Sequence, residues 1–414
     1  MEREASPALR RCWLLLWLLA VAGICLLLFA VLRDRPYDDL ALQHFSREVL
    51  ARGRQFSREA RIAGTARDLA ALGAMLWLCF HRTGARLTVR LERLGRGRLW
   101  LGLIAVAAGM TLLLALVRLP FSFYLGYWHE RAYDLTRQRP AQWLAEYLQG
   151  VGLQMAVTLL LWLPLYWLIR HWPRGWWAPA ALLNVTLTGL LVVASPLLFL
   201  PMQGKVVQVT DPRLVGMVER IANQAGLEVA EVRELKVSDR TSRVNAMVTG
   251  LGKTRQVVFF DTLLAGFKPD EVEVVVAHEM AHAIHQDVAT GWLLDGLLET
   301  GTLLAAAWML RTMVGVGPLR MANPHAARGL ALLMLFTTLV GEVTGPLHNA
   351  VSRQMEVRAD RFALETTRNP DAFIRTFKKL AAGNVADVDP PALVELLSAT
   401  HPSIINRIRA AETQ

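Results

Sequence analysis

His278-Glu279-Met280-Ala281-His282 is the stretch on which the interpretation of this chain depends. Its two histidines are four residues apart, so on a helix both imidazoles lie on one face and can bind one metal ion such as zinc. Glu279 lies one residue further round the helix, where it can take a proton from a metal-bound water rather than bind the metal. The stretch predicts metal-dependent peptide hydrolysis, and two surface histidines on an amphipathic helix are the alternative.

A third ligand is available further along the chain. Residues 352–360 have the pattern of a helix, and Glu356 and Asp360 share one of its faces because they are four residues apart. Glu356 would complete a His₂Glu site that leaves one position open for water. Asp360 would accept the free ring N–H of a ligating histidine and fix its tautomer. The alternative is a solvated helix face, the usual setting of such a pair.

The composition places this motif in a membrane protein. Apolar residues make up 53% of the 414, a fraction expected of a chain that crosses a bilayer several times. Six apolar runs are close to the roughly 20 residues that a spanning helix needs. They are residues 13–32, 99–117, 152–169, 177–200, 288–310 and 330–347. A weaker run at residues 68–80 is counted as the seventh span.

Counting these spans assigns the connecting segments to sides of the membrane. The connection 118–149, the polar segment 202–287 and the tail after residue 348 are predicted to emerge on one side. The chain then divides into five spans with their loops (1–200), a catalytic segment (201–287), two further spans (288–350) and a helical C-terminal part (351–414). The catalytic chemistry is predicted to lie on that one side.

The segment 212–287 has the pattern of a small α/β unit. It consists of a helix at 213–225, strands at 234–237, 244–249 and 256–260, and then the motif helix. Lys268, Pro269 and Asp270, together with Glu273, predict a capped start for that helix.

The net charge of +10 does not indicate a nucleic-acid partner. Many arginines lie in short loops between spans, for example between Arg82 and Arg98, where they would meet the anionic headgroups of membrane lipids. The three cysteines lie in or beside apolar runs, so neither a disulfide framework nor a cysteine metal site is predicted.

Several motifs together resemble those of the integral-membrane CAAX prenyl endopeptidases of the zinc gluzincin type. They are His278 to His282, Ser352-Arg353 with Glu356 and Asp360, Asn245-Ala246, Phe260 to Leu264, Leu119 to Tyr124 with Glu130, and His401-Pro402-Ser403 with Arg407. The resemblance implies a mainly α fold, in which a seven-helix membrane bundle encloses a chamber and carries a small α/β zinc protease domain. It also implies one zinc ion per chain, bound by His278, His282 and Glu356, with Glu279 as the general base.

The resemblance extends to three further positions. His401 and Arg407 are similar to tail residues that face the zinc and stabilise the oxyanion or hold the substrate terminus, although His-Pro-Ser is also an ordinary helix start. Asn245 is similar to a position on an edge strand along which a peptide is bound, and a turn residue at a strand end is the alternative. The segment after Tyr124 departs from the eukaryotic pattern, which favours a bacterial-type processing or quality-control enzyme.

Acidic residues inside a predicted span form another candidate site. Asp295 and Glu299 would be costly against lipid, so both are expected to face the protein interior or a water-filled cavity. On a helix continuous with the motif, Glu299 projects near the histidine face and is predicted to line the substrate chamber. A buried ion pair with Arg311 or with a cation of another span is the alternative.

The sequence therefore predicts a membrane-embedded zinc endopeptidase that hydrolyses membrane-associated or lipidated peptides. The bacterial inner membrane is its expected location, or an ER-type membrane in a eukaryote. A heat-shock-type membrane protease that clears misfolded proteins is the first alternative. A transporter would account for the spans and their carboxylates but would not need the two metal-binding helices. The oligomeric state and the natural substrate stay open.

Overall fold

The computed structural model of this chain describes residues 7–33, 35–250 and 252–413. Most of these residues are helical, and one small sheet has four strands. The helices are α1 (Pro7–Leu32), α2 (Asp39–His44), α3 (Arg47–Phe80), α4 (Arg82–Leu94), α5 (Leu99–Phe123), α6 (Glu130–Ala132), α7 (Pro140–His171), α8 (Trp177–Gln203), α9 (Pro212–Gln224), α10 (Asp261–Gly266), α11 (Pro269–Ile284), α12 (Asp287–Thr312), α13 (Gly329–Thr367), α14 (Pro370–Gly383), α15 (Ala392–Ser398) and α16 (Ile404–Glu412). The strands are β1 (Lys205–Gln208), β2 (Glu231–Lys236), β3 (Ala246–Thr249) and β4 (Gln256–Phe260). A π-helix, Tyr124–His129, joins α5 to α6.

Seven of the described helices are long and apolar enough to cross a membrane, namely α1, α3, α5, α7, α8, α12 and α13. This confirms the predicted number and order of spans. Helices α3 and α13 extend furthest beyond the predicted runs: α3 begins at Arg47 and α13 ends at Thr367. Their additional turns are rich in charged residues, which form helices readily but do not contribute to an apolar run. One continuous helix, α13, therefore joins a membrane span to Glu356.

The membrane helices leave cavities between them and present apolar side chains outward. Leu103, Tyr166 and Leu330 are fully buried between helices, whereas Leu116 and Leu182 are 66% and 71% exposed on the outer surface. Cavities of about 410 and 430 Å³ lie between the spans. The helical content, the seven spans and the apolar exterior confirm the predicted mainly α membrane bundle with a small sheet domain.

The sheet has the strand order β1-β2-β4-β3, with β2 and β4 parallel and the two outer pairs antiparallel. β4 has its predicted bounds, β2 begins earlier than predicted, at Glu231, and β1 was not predicted because four residues show little alternation. β3 begins at Ala246 rather than Val244, because β4 ends at Phe260 and leaves no strand residue opposite Val244. The Val244 backbone bonds to the Asn384 side chain instead. β3 is an edge strand, and it packs against the motif helix α11.

The start of α11 is capped by a different residue from the predicted one. The N–H of Lys268 donates to the carboxylate of Glu271 at 2.7 Å, and Lys379 also bonds that carboxylate. The predicted partner, Glu273, instead forms an ion pair with Arg220 at 3.2 Å. A capping carboxylate must lie three residues after the cap to fold back onto its N–H, and only Glu271 has that spacing.

Contacts among the polar segments agree with the sides predicted by counting spans. The N–H of Arg137 donates to the carbonyl of Arg240 at 2.8 Å, which joins the connection after α6 to the segment after β2. Val244 bonds to Asn384 of the C-terminal part at 3.1 Å. The three predicted catalytic segments therefore meet on one side of the bundle.

Candidate active site

Three side chains that are distant in sequence meet where α11 packs along α13. The Nε2 of His278 is 3.2 Å from Glu356 Oε2, and the Nε2 of His282 is 3.5 Å from Glu356 Oε1. The two Nε2 atoms are 3.3 Å apart. The metal-ligating atoms of all three side chains lie within 4.8 Å of one another. The structure thus brings together the three residues that the sequence analysis assigned as ligands.

Carboxylates at the Nδ1 atoms of both histidines leave the Nε2 atoms available to bind a metal ion. Each ring directs its Nδ1 at a carboxylate, so each donates from Nδ1 and presents the Nε2 lone pair to the other ring. Two such lone pairs at 3.3 Å repel unless a cation lies near both. Glu356 Oε2 is buried and has no hydrogen-bond donor among the described residues. Two imidazoles and a carboxylate are also the donor set of catalytic zinc sites.

Asp360 lies behind the first histidine, where the sequence analysis expected it. Its Oδ1 is 3.0 Å from His278 Nδ1, and the residue is only 5% exposed. Arg407 bonds both carboxylate oxygens of Asp360, with its Nε 2.7 Å from Oδ2, and its guanidinium lies 4.0 Å from the centre of the Phe377 ring. Asp360 is therefore fixed in place by a buried, stacked arginine.

Asp287 lies behind the second histidine, and the sequence analysis did not identify it. Its Oδ2 is 2.9 Å from His282 Nδ1, and its other oxygen bonds Arg358. The preceding residue, Gln286, has a φ of 54°, a left-handed conformation that ends α11 and turns the chain before α12 begins. This turn brings Asp287 back to the ring. Both histidines therefore have the same support, a carboxylate that is itself held by an arginine.

The charges around the first histidine favour positive charge at the site. Burial lowers the pKa of His278, but the carboxylates of Asp360 and Glu356 beside the ring outweigh burial and raise that pKa to about 9. Burial also raises the pKa of Glu279 above its ordinary value, while the imidazoles of His278 and His282 act in the opposite direction. A carboxylate with a raised pKa is a stronger proton acceptor, which suits Glu279 for general-base chemistry.

The two residues from the C-terminal tail lie in different environments. His401 is 58% exposed and its Nε2 is 3.3 Å from Glu356 Oε1, so it borders the open side of the cluster. Arg407 is buried and both of its bonds to carboxylate oxygens go to Asp360. Its Nη2 also lies 3.3 Å from His278 Nδ1 and 3.7 Å from Glu356 Oε2, directly behind the proposed metal ligands. The role that the resemblance implied for Arg407 towards the substrate stays a prediction.

Glu299 does not join the ligand cluster. It lines the 410 Å³ cavity between α7, α8, α12 and α13, where it interacts with the Asn184 side chain. The predicted projection assumed one continuous helix, whereas the left-handed residue Gln286 separates α11 from α12. The alternative partner, Arg311, donates instead to the carbonyl of Ala307. Glu299 therefore faces a cavity between spans, and its role in binding the substrate stays a prediction.

Asn245 lies directly before the edge strand β3, and its side chain is exposed. Its carbonyl accepts the N–H of Phe260 at 3.0 Å, which extends the β3–β4 pairing by one bond. The residue is thus at the beginning of the strand that packs against α11, at one end of the free sheet edge.

Comparison with known proteins identifies two regions of this chain. Residues 208–414 match peptidase family M48, and residues 33–205 match the CAAX prenyl protease N-terminal region of five membrane helices. An uncharacterized metalloprotease, YhfN of Bacillus subtilis, is 30% identical over 309 residues, which are 74% of this chain and 72% of that protein. CAAX prenyl protease 1 of Saccharomyces cerevisiae is 27% identical over 42% of this chain and 38% of its own length.

Two further matches concern a second protease and the fold. Protease HtpX of Idiomarina loihiensis is 25% identical over 64% of this chain and 89% of its own length. The crystal structure of S. mikatae Ste24p superposes with a TM-score of 0.85 over 99% of this chain and all of that chain, at 17% identity. This structural match shows that the two proteins share the fold of the membrane bundle and its small sheet domain.

Proposed function

This chain belongs to peptidase family M48 and is a membrane metalloprotease, and we propose that it holds one zinc ion through His278, His282 and Glu356. The observation that carries this assignment is the convergence of these three side chains, with each histidine supported by a buried carboxylate. We further propose that residues 201–287 and 351–414 together form its catalytic part, since the two metal-binding helices come from these segments.

The side chains around the cluster can perform the proton transfers of peptide hydrolysis. A bound zinc ion would supply Lewis acidity that polarises the peptide carbonyl and acidifies water. Glu279 accepts the proton of the attacking water and passes it to the leaving amine. His401, on the open side, is placed to donate to the carbonyl oxygen as negative charge develops there. Arg407 acts through Asp360 by holding the His278 ring in position.

The substrate is proposed to bind as an added strand along β3. Since Asn245 bonds to Phe260 of β4, strand alternation directs the backbone groups of Ala246 and Val248 to the free edge. The backbone groups of Val244 also point to the free edge, but the Asn384 amide accepts from its N–H at 3.1 Å and donates to its carbonyl at 3.3 Å. The edge that is free for a peptide therefore begins at Ala246, beside the motif helix.

Backbone pairing of this kind is largely indifferent to side chains, so access must provide selectivity. The sheet and the metal cluster lie at one end of a membrane bundle, which favours peptides that are held at or in the bilayer. We therefore propose membrane-associated or lipidated peptides as substrates. A heat-shock-type quality-control role is the second candidate, because the match to protease HtpX covers 89% of that protein.

Lipid anchoring of a peptide is expected to increase its kcat/KM in proteoliposomes by about tenfold or more, since it raises the local concentration at the membrane. Asn245→Ala should reduce cleavage of both the anchored and the free peptide without loss of zinc, because it alters the substrate edge and no metal ligand. Equal kcat/KM for the two peptides would contradict entry through the membrane chamber. Preferential cleavage of a misfolded membrane protein would support the quality-control role.

Asp287→Asn and Asp360→Asn are each expected to weaken zinc affinity by about 10–100-fold, the range seen when a ligating histidine loses its orienting carboxylate. Asp239→Asn, at an exposed aspartate, is the matched control. Competition with a zinc chelator measures the affinity without depending on turnover. An Asp287→Asn variant with the affinity of the control would show that the bond to His282 has no positioning role.

A further inference from the structure

Arg118 is a cation inside the membrane bundle that the proposed mechanism does not use. It lies near the end of the third span, on the same face of α5 as Thr111 and Ser122, which are seven residues before it and four after it. Thr111 is 7% exposed, whereas Leu112 and Leu116, on the other face, are 58% and 66% exposed. The face with Arg118 is thus the inner face of the helix, and the leucine face is the one directed at lipid.

The guanidinium of Arg118 lines a cavity of about 430 Å³ between α3, α5, α7 and α13. Neutral hydrogen-bonding side chains surround it, including Ser122, Tyr147, Gln154 and Thr158. Two of them already have partners, since Tyr147 donates to the Ala115 carbonyl at 2.6 Å and Gln154 donates to Thr158 at 3.3 Å. No carboxylate is among the described residues that line this cavity.

Within the part of the chain that the structure describes, Arg118 has no ion-pair partner, and its buried Nε has no acceptor. Nearby arginines are different, because Arg243 pairs with Glu130 and Arg240 pairs with Glu146. A charged side chain within a span is unfavourable unless it faces water or an opposite charge. An unpaired guanidinium that faces a cavity therefore points to a ligand that carries negative charge.

We propose that Arg118 forms an anion-binding subsite in the chamber wall and binds a carboxylate of the peptide substrate. The planar guanidinium matches a carboxylate with two parallel hydrogen bonds, and the neighbouring hydroxyl and amide groups can complete its hydrogen bonding. The inward direction of Arg118 favours a peptide in the chamber over a phosphate of the surrounding lipid. The carboxylate is either the C-terminus or an acidic side chain. The inference rests on the proposed peptidase function.

The test uses the full-length, zinc-loaded protein in proteoliposomes with a library of synthetic peptides. Each peptide is made with a free or an amidated C-terminus and with Glu or Gln at one internal position, and mass spectrometry measures cleavage. The wild type is expected to cleave the carboxylate-bearing members with a KM about tenfold lower and an unchanged kcat, because Arg118 assists binding and not the reaction. Arg118→Gln should abolish this preference, and Arg118→Lys should retain part of it.

The controls identify the source of the charge. Arg90→Gln, at an exposed arginine on the opposite side of the bundle, should leave the preference unchanged. A preference confined to the terminal pairs identifies the C-terminus, and one confined to the internal pairs identifies an acidic side chain. A wild type without preference, or an Arg118→Gln variant that keeps it, overturns the proposal. So does a preference that follows the fraction of anionic lipid in the vesicles.

Direct binding separates this proposal from the proposed function. Fluorescence anisotropy of labelled acid and amide peptides can be measured on the Glu279→Gln protein with and without Arg118→Gln. Tighter binding of the acid peptide, lost with Arg118→Gln, supports the subsite even where the wild type cleaves nothing. Equal binding of the two peptides overturns the subsite even where cleavage is normal.

Discussion

The Glu279→Gln variant is expected to retain its zinc and its fold while it loses about 10²–10⁴-fold in kcat. Glutamine has the size of glutamate and can still hydrogen-bond on the half-buried face of α11, but its amide cannot accept the proton of the attacking water. Because Glu279 is not among the three clustered ligands, its replacement leaves the metal-binding atoms in place.

Turnover of a peptide in proteoliposomes and zinc content per chain should be measured together for this variant. Glu273→Gln is the matched control, since it lies on the same helix six residues earlier and forms a partly exposed ion pair with Arg220. Such pairs contribute roughly 0–1 kcal/mol, so the control should behave as the wild type. Near-normal turnover of Glu279→Gln would rule out its role as general base.

Features that depend on local periodicity could be predicted from the sequence. The four-residue spacings of His278 with His282 and of Glu356 with Asp360 predict shared helix faces, and the structure places all four side chains together. The apolar runs predict the spans because lipid requires a continuous apolar surface, whatever the tertiary packing.

Features that depend on a single backbone conformation could not be predicted in this way. Gln286 adopts a left-handed φ of 54° although nothing in its residue type requires it. The next residue, Asp287, bonds His282, and Glu299 of the following helix lines a cavity between α7, α8, α12 and α13. The sequence did offer one signal for the role of Asp287, namely a carboxylate just beyond the end of the motif helix. A ligating histidine needs an acceptor for its second ring nitrogen.

Contacts between distant segments set the remaining difference between expectation and structure. The strand β3 begins two residues later than its β-propensity indicates because β4 ends at Phe260, and the Asn384 amide bonds the Val244 backbone on its free side. Asn384 is 140 residues away in sequence, so no local pattern can reveal the contact. The same bond limits where a peptide can pair, which links a feature of packing to the substrate edge.

Glu356→Ala, which removes the proposed third ligand, is expected to reduce the zinc content to about a tenth of the wild type or less. The two histidines that remain form an incomplete site, and catalytic zinc sites have three protein ligands. The side chain of Glu356 is 6% exposed and contacts both imidazoles, so water cannot readily replace it in the same geometry. Metal analysis after purification without chelators measures this directly.

Thermal unfolding gives a second readout of the same variant that does not depend on activity. Zinc at 1,000 times its Kd stabilises a folded protein by about 4 kcal/mol, so the wild-type Tm should rise when zinc is added to the metal-free protein. The Tm of Glu356→Ala should not change with zinc. Glu365→Ala, at an exposed glutamate on the same helix, should respond as the wild type. Full zinc occupancy in Glu356→Ala would exclude Glu356 as a ligand. Because α13 carries this ligand on a membrane span, the comparison also tests whether metal binding stabilises the bundle as well as the site.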